Sequence, residues 1–215
     1  MLPLLYYITD CNQFPGPRQE KEQRLLAKIG ECAAAGVDYI QLREKDLSIR
    51  ALESLANQAV TALGSGTQTK LLINSRTDLA LACGTHGVHL PANDISASEA
   101  RAIFAQAKVP SPVIGVSAHS LAEVLSAEAN GADFAVFAPV FEKAGEINQR
   151  GLEQLRQICH RPNTSAATMP VLALGGITFA NARLCLETGA AGIAAIRLFQ
   201  HHDVDQVVKR LREVR

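Results

Sequence analysis

The sequence predicts an α/β fold, a single (β/α)8 TIM barrel spanning residues 1–215, and three observations predict it. One supersecondary unit recurs, as GVDYIQLRE at Gly36–Glu44, GADFAVFAPV at Gly131–Val140 and GAAGIAAIRLF at Gly189–Phe199, with a weaker copy, THGVHLP, at Thr85–Pro91. Recurrence of one such unit is an architectural signal. Short apolar runs alternate with helical stretches, the pattern of βαβ units and a parallel sheet. A chain of 215 residues also falls near the size of one α/β barrel, about 200–250 residues.

The elements follow in order. The first strand is Leu4–Ile8. Glu20–Ala35 carries Leu25, Leu26, Ile29 and Ala33 at helical spacing, then Tyr39–Leu42 reads as the second strand. Ile49–Leu63 is the next helix and Leu71–Asn74 the third strand; only Arg76–Cys83 is available as the helix before the fourth, Gly87–Leu90. Val113–Ser117, helix Leu121–Asn130, Phe134–Ala138, Val171–Leu174 and Gly192–Ile196 complete the set. Gly36, Gly131 and Gly189 sit where a left-handed residue ends a helix. Ala144–Gln149 reads as a mobile loop after strand six, and the Pro/Ser/Thr-rich Arg161–Pro170 as a surface loop before strand seven.

Composition narrows the function classes. With 21 basic and 21 acidic residues, nothing favours nucleic acid or an anionic membrane as partner, so attraction for an anionic substrate has to be local. No apolar run approaches the roughly 20 residues of a membrane span. MLPLLYYITD lacks a basic n-region and reads as a strand, not a signal peptide. Five scattered cysteines without CxxC spacing suit reduced thiols and a cytoplasmic protein. Oligomeric state is left open.

In a parallel barrel, chemistry sits at the carboxyl ends of the strands. After strand two, Gln41 and Arg43 share a face and Lys45 follows; these groups either hold phosphate oxygens or form a solvated charge cluster. After strand three, Asn74 is either a substrate hydrogen-bonding group or, with Ser75 and Thr77, a helix-capping candidate. His89 in strand four reads most simply as a core histidine, with Asp94 in the loop beyond. Ser117 ends strand five, and His119 follows in a small polar loop where an imidazole can shuttle protons or have no role. After strand seven, Gly175 and Gly176 let backbone N–H groups approach an anion, and Arg197 follows strand eight. Together these point to a phosphorylated ligand. His201 and His202 read as surface residues.

Taken in order, Tyr7-Ile8-Thr9-Asp10, Gln41-Leu42-Arg43-Glu44-Lys45, Asn74…Arg76…Asp78, Gly87-Val88-His89-Leu90, Gly115–Ser120 and Leu174-Gly175-Gly176-Ile177 resemble the superfamily of thiamine phosphate synthase and the TenI-type thiazole tautomerases. The resemblance runs over nearly the whole chain. It implies a thiamine-biosynthesis enzyme with small phosphorylated thiazole or pyrimidine substrates. The synthase branch joins hydroxymethylpyrimidine diphosphate to thiazole phosphate with Mg²⁺; the tautomerase branch moves a proton within a thiazole carboxylate phosphate and needs no cofactor.

The strand ends depart from the synthase pattern at one substrate's site. Ser75 stands where that branch usually has a metal-binding aspartate, leaving Asp94 as the matching metal carboxylate. Pro91-Ala92 replaces Gly-Gln, and after strand six a displaced Lys143 flanked by Glu142 and Glu146 replaces the Thr and Lys offered to diphosphate. These departures lean towards a TenI-like tautomerase with His119 as acid/base. Gln41, Arg43, Lys45, Asn74, Ser117, Gly175, Gly176 and Arg197 are then the candidate substrate-binding residues, and Asp94 binds metal only in a synthase-like enzyme. Arg197 stands where the family usually has a small serine, and either binds phosphate or blocks it by bulk. A non-catalytic thiazole- or thiamine-phosphate-binding regulator is the remaining alternative.

Overall fold

A computed structural model describes residues 2–142, 148–161 and 168–214. Within them, strands β1 (Leu4–Ile8), β2 (Tyr39–Leu42), β3 (Lys70–Asn74), β4 (Gly87–Leu90), β5 (Val113–Ala118), β6 (Phe134–Phe137), β7 (Val171–Ala173) and β8 (Gly192–Ala195) close into a barrel in sequence order. All neighbours are parallel, and β8 closes on β1 through Leu4↔Gly192 to Tyr7↔Ala195. The eight strands fall where the sequence predicts them, with ends differing by at most one residue.

Helices cover the outside. They are α1 (Arg18–Ala34), α2 (Ile49–Leu63), α3 (Thr77–Ala82), α4 (Ala97–Gln106), α5 (Leu121–Ala129), α6 (Gln149–Cys159), α7 (Ala182–Glu187), α8 (Arg197–Gln200) and α9 (Val204–Arg212). The short stretch before strand four does form a helix, α3. Its N-cap is Arg76 and no side chain caps it, so Asn74, Ser75 and Thr77 are not its caps. Elsewhere caps are local chemistry: Ser48 accepts the Ala51 N–H, Ser120 the Glu123 N–H, and Ser96 forms a capping box with Glu99. In α2 the residues Leu55, Ala56, Ala59 and Leu63 form the buried stripe that lies against the sheet.

Strand alternation divides two cores. Outward-facing residues such as Leu5, Ile40, Leu71, Val88 and Ile114 join the helices in the larger one. The barrel interior is a separate cluster of Tyr6, Ile8, Leu72, Phe134, Val136, Leu172 and Ala194. Tyr6 meets Phe134 edge-on at 5.3 Å between ring centroids, and Tyr39 lies 4.8 Å from the same ring, separations typical of favourable aromatic pairs. Gly115 makes this possible. A Cβ there would lie 2.5 Å from Phe134 Cζ and 2.8 Å from His89 Nδ1.

The segment before β7 is tied down at both of its described ends. Arg161, predicted to open a surface loop, is buried instead. Its Nε and Nη2 donate to the two carboxylate oxygens of Glu128 at 3.0 Å each, and Nη2 also donates to the Met169 carbonyl. Glu128 accepts the Met169 N–H at 2.7 Å. The guanidinium holds the Glu128 carboxyl below the usual carboxylate range. The pair therefore stabilises the fold above the unfolded-state value of about 4.3 and loses that contribution as pH falls below it. Residues 144–147 of the expected mobile loop lie outside the described residues, whereas Asn148 caps α6 by accepting the Gly151 N–H.

Gly115→Ala is expected to destabilise the protein by about 1–3 kcal/mol through overpacking, read as a lower urea midpoint. The same variant should displace the His89 ring, visible as a changed histidine NMR signal. An unchanged midpoint would mean the interior has slack that the geometry does not show.

Candidate active site

The floor of the barrel mouth is a polar chain laid on the aromatic interior. Gln41 on β2 donates from Nε2 to the Tyr6 hydroxyl at 3.1 Å, and that hydroxyl lies 3.1 Å from His89 Nδ1. His89 Nε2 is 2.9 Å from Ser117 Oγ on β5. Gln41 and His89 are 1% and 3% exposed, so His89 is the satisfied core histidine its position suggests. Burial, and secondarily the Arg43 charge, pulls its pKa down to about 3. Ser117 is half-buried above it, facing the mouth.

On the β2 side the charged run divides. Arg43 is half-buried and Lys45 exposed, and neither side chain forms an ion pair among the described residues. Glu44 between them turns inward: it accepts the Thr9 hydroxyl at 2.6 Å and the Cys11 N–H at 2.9 Å, while Thr9 accepts the Arg43 N–H at 2.9 Å. Burial pushes the Glu44 carboxyl up. This carboxylate, which sequence reasoning left inside a charge cluster, anchors the Arg43–Lys45 turn to the end of β1. The signal that could have found it is the strand alternation that sets it opposite Arg43.

A pocket of about 260 Å³ lies at the ends of β2 and β3, and Lys45, Asn74, Ser75 and Arg76 are among its lining residues. Arg76 is paired with Asp78, so Lys45 is the cation left for a ligand. The Ser75 hydroxyl donates to one oxygen of Asp94, whose other oxygen accepts the Ile95 N–H at 2.8 Å. Among the described residues no group of three His, Cys, Asp or Glu side chains could hold a metal. Mg²⁺, however, is commonly held by one or two carboxylates together with substrate phosphates and water. Asp94 meets that minimum, so these residues fit a metal shared with a diphosphate and not one caged by protein alone.

On the opposite rim His119 is exposed, with Nδ1 2.6 Å from the Ala138 carbonyl. A carbonyl only accepts, so Nδ1 carries a proton, and Nε2 has no hydrogen-bond partner among the described residues. Its backbone N–H donates to Glu123.

A larger cavity of about 650 Å³ opens after β7 and β8, lined in part by Gly175, Gly176, Thr178, Arg197 and Glu142. Gly175 has φ +103°, and a Cβ would lie 2.8 Å from Pro139 Cα, so only glycine fits. No described residue accepts the N–H of Gly175 or Gly176. Arg197 is exposed at the edge of this space without an ion-pair partner among the described residues. Its side chain borders the cavity. Glu142 also lines the space, as an acid that a ligand's charge would have to tolerate. Lys143 lies outside the described residues. His202 is exposed, as expected, but also borders this cavity and packs edge-on against Phe179.

Comparison with known proteins identifies the family. The profile of the thiamine monophosphate synthase family matches residues 5–199. The chain belongs to that family. It is 38% identical over 200 residues to a putative thiamine-phosphate synthase 2 of Aquifex aeolicus, covering 92% of this chain and 98% of the relative. A thiamine-phosphate synthase of Methanoculleus marisnigri is 35% identical over 97% of this chain and 93% of its own length. Among solved structures, thiamine phosphate pyrophosphorylase from Pyrococcus furiosus superposes with a TM-score of 0.77 at 31% identity, covering 98% of this chain and 94% of that one. These names favour the synthase over the tautomerase towards which the strand-end departures leaned. No described helix is long and apolar enough to cross a membrane.

Arg197→Ala discriminates binding from blocking. Loss of a charge-assisted hydrogen bond is expected to weaken inorganic phosphate binding about tenfold by calorimetric titration. Tighter binding would assign Arg197 the obstructing role.

Proposed function

We propose that this chain is a thiamine-phosphate synthase that joins hydroxymethylpyrimidine diphosphate to thiazole phosphate. One observation carries the reading: the barrel mouth holds two anion-binding candidates in separate sectors. Gly175, Gly176 and Arg197 line the cavity after β7 and β8, while Lys45, Asn74 and Ser75 line the pocket after β2 and β3. Joining two phosphorylated substrates requires two such places, whereas a proton shift within one requires a single place. The names of the relatives support the same reading.

In this reading, thiazole phosphate is held by the N–H groups of Gly175 and Gly176 and by the Arg197 guanidinium. The diphosphate lies towards Arg43, Lys45 and Asn74, with the pyrimidine over Gln41 and Ser117. As the diphosphate departs, negative charge grows on its oxygens and positive charge on the pyrimidine methylene. Arg43 and Lys45 sit where they lower the cost of the former. Mg²⁺, held by Asp94 with Ser75 alongside, would neutralise further charge on the leaving group. Ser75 adds no negative charge of its own, so the protein's share of metal binding rests on one carboxylate.

Purified protein given both substrates and Mg²⁺ is expected to release diphosphate with saturable dependence on the metal. Asp94→Asn should raise the Mg²⁺ concentration needed for half-maximal rate at least about tenfold. No diphosphate from folded protein with both substrates present would end this reading.

A second reading, thiazole tautomerase, has its own observation in His119, whose Nε2 has no partner among the described residues while Nδ1 is held by the Ala138 carbonyl. In that chemistry His119 is the acid/base and no metal takes part. It predicts that wild type converts thiazole carboxylate phosphate to its aromatic tautomer and that His119→Asn slows this at least about 100-fold. Equal rates for the two proteins would remove it.

A further inference from the structure

We propose that His89 is a positioning residue that sets the direction of hydrogen bonding across the floor of the site, so that Ser117 presents its hydroxyl proton to the bound substrate. The direction follows from donor and acceptor inventory. The Gln41 amide nitrogen is only a donor, and it spends one hydrogen on the Tyr6 oxygen at 3.1 Å. The single Tyr6 proton then goes to His89 Nδ1, also at 3.1 Å. With Nδ1 accepting, the neutral ring carries its proton on Nε2 and donates it to Ser117 Oγ at 2.9 Å. Ser117 thus receives a hydrogen bond from below and cannot return one. Its own proton has no acceptor among the described residues and is directed to the half-open space above.

The neutral state that this chain needs is secured by its surroundings. His89 is enclosed by Tyr6, Phe134 and the backbone of Gly115, with ring centroids 5.7 Å from Tyr6 and 6.2 Å from Phe134. Desolvation there disfavours the charged ring, as does the nearby Arg43 charge. No carboxylate is bonded to either ring nitrogen. The Tyr6 proton is held as firmly, since burial raises its pKa. Every member of the chain from Gln41 to Ser117 therefore has one available role, and a reversal would require all three hydrogen bonds to turn together. The outcome is a preference at the mouth: above Ser117 a heteroaromatic ring presenting a lone pair pairs the hydroxyl proton, which a ring presenting only an N–H there does not. A ring N–H could reach only the second lone pair of Oγ, and the hydroxyl proton would then be left without an acceptor.

Two measurements test this. Nitrogen NMR of wild-type protein carrying ¹⁵N-histidine, between pH 5 and 8, is expected to show His89 neutral with its proton on Nε2. A proton on Nδ1, or a charged ring in that range, would overturn the proposal. The second measurement is a thermodynamic cycle that rests on the synthase reading: calorimetric titration of hydroxymethylpyrimidine diphosphate with Mg²⁺ and without thiazole phosphate. Ser117→Ala is expected to weaken binding about tenfold, His89→Leu by a similar factor, and the double variant no more than either alone. A double variant weakened about 100-fold would show that His89 does not act through Ser117. Wild-type protein that fails to bind the diphosphate would count against the synthase reading instead, and the NMR result, which needs no ligand, then decides the inference. It decides equally if His89→Leu does not fold.

Discussion

The packing of the barrel interior is the constraint on which the site depends. A closed parallel barrel must fill its centre with side chains, and here Tyr6, Tyr39 and Phe134 are its largest, with glycine at 115 to admit Phe134. These rings present an apolar surface beneath the mouth. A polar side chain reaching down from the mouth must then bond to another polar side chain, because unpaired burial is costly. His89 and Gln41 meet that demand through the Tyr6 hydroxyl. The apolar interior and the polar floor are thus one construction, with Tyr6 belonging to both.

The architecture was largely legible because each strand is short, apolar and preceded by a helix stop. Gly36, Gly131 and Gly189 all adopt positive φ, between 74° and 96°, so the punctuation read from sequence has a real conformational cause. The short crossover before β4 was legible only by elimination, since six residues of α3 carry too little periodicity to stand out. The helix α4 was missed: Ala97–Gln106 is alanine-rich, and its clearest marker, the Ser96–Glu99 capping box, is a local signal overshadowed by the search for apolar stripes.

The site was legible in its inventory and not in its wiring. Strand-end position sufficed to nominate Gln41, Asn74, Ser117 and Gly175. It gave no means of seeing that Arg161 is buried against Glu128, or that Glu44 is drawn into the end of β1 through Thr9 and Cys11. Those contacts join residues more than thirty positions apart, and their partners are ordinary polar residues with no pattern of their own. The Ser75–Asp94 hydrogen bond is a related case. The substitution of a hydroxyl for a carboxylate is visible in sequence, but only the fold shows that the hydroxyl turns to the remaining carboxylate.

The double anchorage at Arg161 and Met169 has an evolutionary consequence. Glu128 gathers the chain entering the 161–169 stretch and the chain leaving it, so β7 begins from a point set by α5, independent of the residues between the two anchors. Closing a longer stretch between two fixed ends adds little entropic cost, about 0.6 kcal/mol for each doubling. This is therefore a place where the gene can gain or lose codons with little effect on Gly175 and Gly176 at the far end of β7, and where a tag or an inserted domain can be carried without disturbing the mouth.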